Sequence, residues 1–405
     1  MKILYVSGIW AGIRPLLFEG QEKESGMPAF VFPLKEIVAR GHEVTLLFLA
    51  KRAQPELRIG PEWLRRCRLE IAVTNQSRSF LRKKAVGTRV REELTAEDYD
   101  FLYLQGEKGS HLWKLGEEFG LPVGQRVYGV DNAARSLPGT PRLWARIKKP
   151  QLHASFTGRK AFVIVTRDGS RGDRLQEHLA PRPAYRFFHR LNGVERPPEP
   201  PATDESTLPR LLADRPYLFC PARFATMKAK ERTLQFLARM HALGHRELRL
   251  VVAGQHSKAE EYTLFQKEKE RLELSEQVVE LGTLSREEVT ARACGSLAVL
   301  SFYRFSNLSN VSLEALSLGA LLVTLDDGSL EGVCGPEEAL IAPSVEEAAE
   351  AFHRLLSAPD AASRYRDLRQ GAARKALATL QTWQERAAWE ADLIEESAVP
   401  RPERD

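Results

Sequence analysis

Residues 297–332 constrain the fold more tightly than any other stretch of this chain. The apolar run Leu297, Ala298, Val299, Leu300 has the length and composition of a short buried strand. A polar loop over 301–310 follows, then a helical pattern from Val311 to Leu318 that stops at Gly319, then a second strand over 320–325. Strand, loop, helix, glycine stop and strand make a βαβ unit. A parallel sheet binds its ligands at the loop that follows such a strand.

Glu314 follows Val311 by three positions and precedes Leu318 by four, so it shares a helix face with two aliphatic side chains. A carboxylate in that position needs a partner, because burying it unpaired is expensive. Two readings stand. Glu314 is a first-turn glutamate favoured by the helix dipole, with Ser309 and Asn310 acting only as N-caps. Alternatively, the amide groups at the helix start hold an anion while Glu314 accepts hydrogen bonds from a sugar hydroxyl.

The remaining chain repeats the alternation. A first strand over 1–7 leads through Gly8–Gly12 and a polar loop to Gly26, Met27 and Pro28, just ahead of a helical pattern over 30–40 that stops at Gly41. A strand over 42–49 completes the unit, with His42 structural at the corner. The glycine spacing is not that of a dinucleotide fold, which argues against a dehydrogenase. Gly26 either makes a turn or lets the backbone approach a phosphate or acceptor. Strands are read over 100–104, 123–128 and 161–166, with a helix over 111–119 and another ending at Leu179. Residues 126–132 lie past a strand end and form a candidate pocket wall carrying Tyr128 and Asp131. Asp98, Tyr99 and Asp100 lead into a strand and are assigned no metal.

At 405 residues the chain is long enough for two domains. The proline-rich stretch 196–201 reads as a stiff linker between residues 1–196 and 197–381, with a closing helix over 382–397 completing the first domain. In the second domain a strand over 217–220 leads to Arg223, Lys228 and Lys230, then a helix over 231–243. Two lysines ahead of a helix N-terminus oppose its dipole, so an anionic ligand is an economical explanation. A strand over 248–253 ends at a ligand rim of Gly254, Gln255 and His256. A charged helix over 259–272 leads to residues 278–284, and two further helices span 346–356 and 361–380.

Apolar content of 43% beside 28% charged residues suits a globular protein, and no apolar run reaches the roughly 20 residues that span a bilayer. The opening is too short in apolar residues for a signal peptide. Cys67, Cys220, Cys294 and Cys334 lack metal or redox spacing and read as reduced thiols of a cytosolic protein. Between Lys51 and Arg91, twelve basic residues face three acidic ones. That excess is either a solvated surface or one that attracts anionic lipid or glycan at the inner face of a membrane. No nucleic-acid motif accompanies it.

These motifs together resemble the retaining family 4 glycosyltransferases of GT-B fold. The matching positions are Gly26, the Asn192, Gly193, Val194 sequence, Arg223 and Lys228 five positions apart, Glu314 in its Ser309 to Leu316 context, and the closing helix. The family pairs two glutamates, the first on the donor sugar and the second on the nucleotide ribose. Glu314 matches the second, and Ser306 stands where the first would be. The family's histidine near the reacting carbon has no counterpart between His111 and His153.

The resemblance implies an α/β protein of two Rossmann-like domains with parallel sheets facing a central cleft. It implies transfer of a sugar, with retention, from a UDP- or GDP-linked donor to a hydroxyl acceptor, with no metal or other cofactor required. Arg223 and Lys228 would stabilise the leaving diphosphate. Glu314 would bind the donor together with Ser306, Asn307, Leu308, Ser309, Asn310 and Gly254, while Gly282, Thr283 and Leu284 contact the nucleobase through their backbone. Gly26, Met27, Tyr128 and Asp131 would line the acceptor and phosphate loop. The rivals are a phosphorylase or epimerase on the same plan, or a non-catalytic nucleotide-sugar sensor, which Ser306 at an acidic position brings into play.

Overall fold

The computed structural model describes residues 1–9, 11–24, 29–73, 79–130, 142–196, 203–213 and 215–398. The chain forms two compact units, one of residues 1–192 joined by the segment from Trp383, the other of residues 193–382.

The first unit holds a parallel sheet of seven strands: β1 (Lys2–Gly8), β2 (Glu43–Ala50), β3 (Arg68–Val73), β4 (Phe101–Gln105), β5 (Val123–Val127), β6 (Phe162–Thr166) and β7 (Arg186–Arg190), in the order β3-β2-β1-β4-β5-β6-β7. Strand β1 shows why the sequence folds this way. Ile3 and Tyr5 pack into one core with Leu34, Ile37 and Ile394, while Leu4 and Val6 pack into another with Val90, Leu102 and Leu112. Both faces are covered, so the strand is an unbroken apolar run rather than an alternating one.

The second unit holds six parallel strands: β8 (Tyr217–Pro221), β9 (Arg249–Ala253), β10 (Val278–Glu280), β11 (Ala298–Ser301), β12 (Leu322–Leu325) and β13 (Ala339–Ala342), in the order β10-β9-β8-β11-β12-β13. Both sheets run outward from their first strand and then reverse, between β1 and β4 and between β8 and β11. Crossover connections leave a crevice at that reversal, outside the carboxyl ends of the strands.

The closing helix Trp383–Ser397 belongs to the first unit, where Trp383 stacks on Phe32 at 4.5 Å and Glu395 lies 2.7 Å from His42 Nε2. Its Glu390 is wholly buried. That carboxylate accepts from Arg126 Nη1 of β5 at 3.0 Å, from Arg386 Nη1 at 2.9 Å and from the Tyr103 hydroxyl of β4. Arg126 also donates to Ala29 O and Asn192 Oδ1, each at 3.1 Å. Two buried cations around one anion leave Arg386 with a guanidinium that burial, reinforced by Arg126, pushes down to about 10.

Several elements differ from the sequence reading. The loop expected after β1 contains the short helix Arg14–Phe18, started by Pro15 and burying Leu16, Leu17 and Phe18. Within the basic stretch lie the edge strand β3 and the helix Ser79–Ala96. Several of its cations are paired: Arg68 with Glu93 at 2.6 Å, Arg89 with Glu70 at 3.1 Å, and Arg91 with Glu118. Glu93 and Glu118 come later in sequence, so counting charges only to Arg91 overstated the excess. Edge strands β7 and β13 and the polar helix Arg286–Gly295 were also unread. The linker residues 197–201 and the last residues from 399 lie outside the described residues. All four cysteines are free, and no described helix is long and apolar enough to cross a membrane.

Replacing Glu390 with Gln leaves two buried guanidinium groups without their anion. We expect a loss of roughly 3–5 kcal/mol, read by calorimetry as a lowered Tm for the first unit.

Candidate functional site

The loop after β8 turns through a 3-10 segment, Thr226–Lys228, into the helix Glu231–Ala242. Between them Ala229 takes φ +44°, a left-handed conformation that costs an L-residue roughly 1–2 kcal/mol. The two lysines that flank this turn enter different surroundings. Lys228 Nζ stands 3.7 Å from the ring centroid of Tyr303, which follows β11. Lys230 is buried, donates to Ala253 O at 2.9 Å and lies over the Phe224 ring at 3.8 Å. Burial pushes its ammonium down to about 8. The expectation that both lysines call for an anionic ligand is therefore corrected: the protein already answers Lys230, and Lys228 is the one that reaches the strand-order reversal.

The ends of β8, β9 and β10 are tied side by side. Gly254 N donates to Gly282 O at 2.6 Å, and Phe224 N donates to Gln255 O at 2.9 Å. Gly254 has φ +125°, and a Cβ on it would sit 2.4 Å from Ala222 O and 2.7 Å from Arg223 N. Only glycine lets these two loops approach, and that approach sets Arg223, Gly254 and Gly282 in a row. Arg223 is exposed, whereas Tyr303 beside it is buried. Burial raises the Tyr303 hydroxyl far above the usual phenol range, against the opposing pull of Arg223.

The loop after β11 is held from below. Tyr303 N donates to Asn307 Oδ1 at 2.9 Å, and Asn307 Nδ2 donates to Leu325 O at 3.3 Å and Asp327 Oδ2 at 3.1 Å. Leu308 N donates to Ser329 Oγ at 3.0 Å. The side chains of Asn307 and Leu308 are buried, so these residues fix the loop's shape rather than presenting side chains outward. Ser309 is the N-cap of the helix Asn310–Ser317, its Oγ accepting from Ser312 N at 3.3 Å. The loops after β8 and β11 are also joined, through Arg304 N to Met227 O at 3.0 Å and Arg232 Nη1 to Tyr303 O at 3.2 Å.

One turn into that helix, the Glu314 side chain is only 16% exposed. Arg286 Nη2 donates to Glu314 Oε1 at 3.3 Å and lies 3.0 Å from Glu195 Oε1. Burial pushes the Glu314 carboxyl up to about 7, with Arg286 pulling it down and Glu195 pushing it up. Arg286 escaped the sequence reading, although a signal was present. Ser285 and Glu288 form a capping box that opens the helix bearing it, and Ser-x-x-Glu is legible in sequence. Thr283 and Leu284 bridge Gly282 to that cap.

In the first unit, Tyr128 sits just past β5, under the Arg126 guanidinium at 5.1 Å, and donates to Gln105 Oε1. Gly26, Met27 and Asp131 lie outside the described residues. Among the described residues no group of His, Cys, Asp and Glu is arranged to hold a metal ion.

Residues 208–375 match the family described as glycosyl transferases group 1, a span that contains Arg223, Lys228, Arg286 and Glu314. No curated protein matches the chain in sequence. Among solved structures the chain is similar to the sucrose-phosphate synthase of Thermosynechococcus elongatus, with TM-score 0.72, 15% identity, and 98% of this chain and 99% of that one covered. It is similar to HepE of Anabaena, solved with UDP-glucose, at TM-score 0.64, 15% identity and 97% and 99% coverage. WaaG, a glycosyltransferase involved in lipopolysaccharide biosynthesis, gives TM-score 0.64, 14% identity and 97% and 99% coverage. The α/β fold with its two parallel sheets is that of GT-B glycosyltransferase structures.

Glu314 yields a prediction independent of any ligand. Its carboxyl is raised from an ordinary 4.5 to about 7, so the folded protein carries the full penalty of a buried anion above pH 7. As pH falls from 7 toward 4.5 the folded state takes up the proton first and the penalty disappears. Glu314→Gln should therefore be more stable than the parent at pH 8, by roughly 1–3 kcal/mol in denaturant melts, with the advantage gone near pH 4.5.

Proposed function

We propose that this protein transfers a sugar from a nucleoside-diphosphate donor to a hydroxyl acceptor, with retention of configuration. The second unit takes the donor and the first unit the acceptor. The observation that carries this reading is the meeting of Lys228 with Tyr303 at the reversal of strand order, with Arg223 on the neighbouring strand end. The group 1 match over the same residues and the UDP-glucose in the HepE structure support it.

The reaction breaks the bond between the anomeric carbon and the diphosphate oxygen and forms one to the acceptor oxygen. Charge develops on the departing diphosphate. Arg223 offers a planar fork for two phosphate oxygens, and Lys228 a point charge whose position is set by the Tyr303 ring. The start of the helix Asn310–Ser317 adds its positive dipole end. Donors fixed in place before the bond breaks need no reorganisation as it breaks, which is the source of their effect. The acceptor proton passes to a departing phosphate oxygen on the same face, so no separate base is needed. Glu314 receives the ribose hydroxyls, and the backbone at Gly282, Thr283 and Leu284 meets the base.

Diphosphate release from UDP- and GDP-sugars, followed with and without acceptor extracts, tests the activity; binding without release would favour a sensor. For whichever donor is turned over, Arg223→Ala with Lys228→Ala should lower kcat at least about a hundredfold while circular dichroism stays unchanged. An unaltered rate would remove both residues from the reaction.

A further inference from the structure

The helix Arg286–Gly295 bears no residue that the donor reading requires, yet its first side chain reaches the one buried carboxylate of the candidate site. Arg286 Nη2 lies between two acids, 3.0 Å from Glu195 Oε1 and 3.3 Å from Glu314 Oε1. Its other amino group, Nη1, is buried without a protein acceptor. An arginine paired with a single carboxylate frequently meets it in bidentate fashion. Here the fork is divided, and the two acids differ in kind: Glu195 is 47% exposed, Glu314 only 16%. Glu195 gains little from the pair because water already solvates it. Glu314 is largely shielded from water and depends more on the arginine to stay ionised.

We propose that Arg286 is a positioning residue for the donor site, holding the Glu314 carboxylate as acceptor for the nucleotide's ribose hydroxyls, with Glu195 competing for the same guanidinium. The local structure supports this division of roles. The Ser285 capping box fixes the helix start from which Arg286 projects, directly after the segment Gly282 to Leu284. Glu195 is anchored through its own carbonyl, which accepts from Ser317 Oγ at 2.6 Å, so its carboxylate stays within reach of Arg286. Arg286 and Glu195 are the charged groups that face Glu314, and they act in opposite senses. A ribose diol donates to both oxygens of a carboxylate, whereas protonation turns one oxygen into a donor and leaves weaker acceptors, so the ionisation of Glu314 governs nucleotide affinity.

This inference rests on the reading of Glu314 as a ribose ligand, and the two are separated by one series of measurements. UDP binding is followed by calorimetry from pH 5.5 to 9 for the parent, Glu314→Gln, Arg286→Gln, Arg286→Lys and Glu195→Gln. The parent should bind more tightly as pH rises through about 7, where the negative charge on Glu314 develops. Glu314→Gln should lose that rise and keep only the titration of the nucleotide's own phosphate. Arg286→Gln should move the rise up by about one pH unit or more, weakening binding about tenfold at pH 7 and recovering by pH 9. Arg286→Lys should restore much of the affinity at pH 7, and Glu195→Gln should shift the rise downward. An Arg286→Gln curve weakened equally at every pH, or one that keeps the parent's midpoint, overturns the positioning role while the ribose reading stands. A Glu314→Gln curve identical to the parent's, or a parent that binds no UDP and no GDP, overturns the ribose reading and this inference with it.

Discussion

Parallel pairing is the constraint on which the rest depends. Each strand of a parallel sheet must return through a crossover, so every strand ends at the same edge and both faces are covered by the returning helices. In the second unit this aligns the ends of β8, β9, β10 and β11, and the order β10-β9-β8-β11 parts the connections on either side of β8 and β11. Arg223 and Lys228 leave β8 there, and Tyr303 leaves β11. The chemistry assigned to the site uses what the topology would collect at that edge in any case.

The two units treat buried charge differently. In the first, Glu390 is surrounded by Arg126, Arg386 and Tyr103 and lies beyond water, a closed network that fixes the returning helix to β4 and β5. In the second, Glu314 has a single guanidinium shared with Glu195, and burial raises its carboxyl to about 7. A carboxylate left short of partners is a local loss of stability, and such losses concentrate where a ligand supplies the missing contacts. Lys230 marks the contrast within the second unit: it is as buried as a site lysine can be, yet a backbone carbonyl and an aromatic face already satisfy it.

The sequence revealed what burial on both faces writes into it. Strands β1, β2, β4, β6, β9 and β11 are apolar runs, and the helices between them stop at glycines such as Gly41 and Gly319, both with positive φ. Edge strands were harder to see. In β3, Arg68 and Glu70 pair with Glu93 and Arg89 on the helix Ser79–Ala96, so half of the strand carries charged residues and reads as surface. The helix Arg286–Gly295 buries only Ala293 and has no apolar stripe, which hid Arg286 despite its capping box. Glu314, by contrast, stood out because a carboxylate between Val311 and Leu318 conflicts with its surroundings. Asn307 read as a donor contact, but its side chain works inward on Tyr303, Leu325 and Asp327, a role that only the folded loop discloses.

A crystal structure of the protein soaked with UDP tests this arrangement most directly. The expected result places the diphosphate within hydrogen-bonding distance of Arg223 and Lys228, with both ribose hydroxyls on Glu314 and Arg286 still paired to that carboxylate. A diphosphate bound away from Arg223 and Lys228, or a ribose with no contact to Glu314, would contradict it.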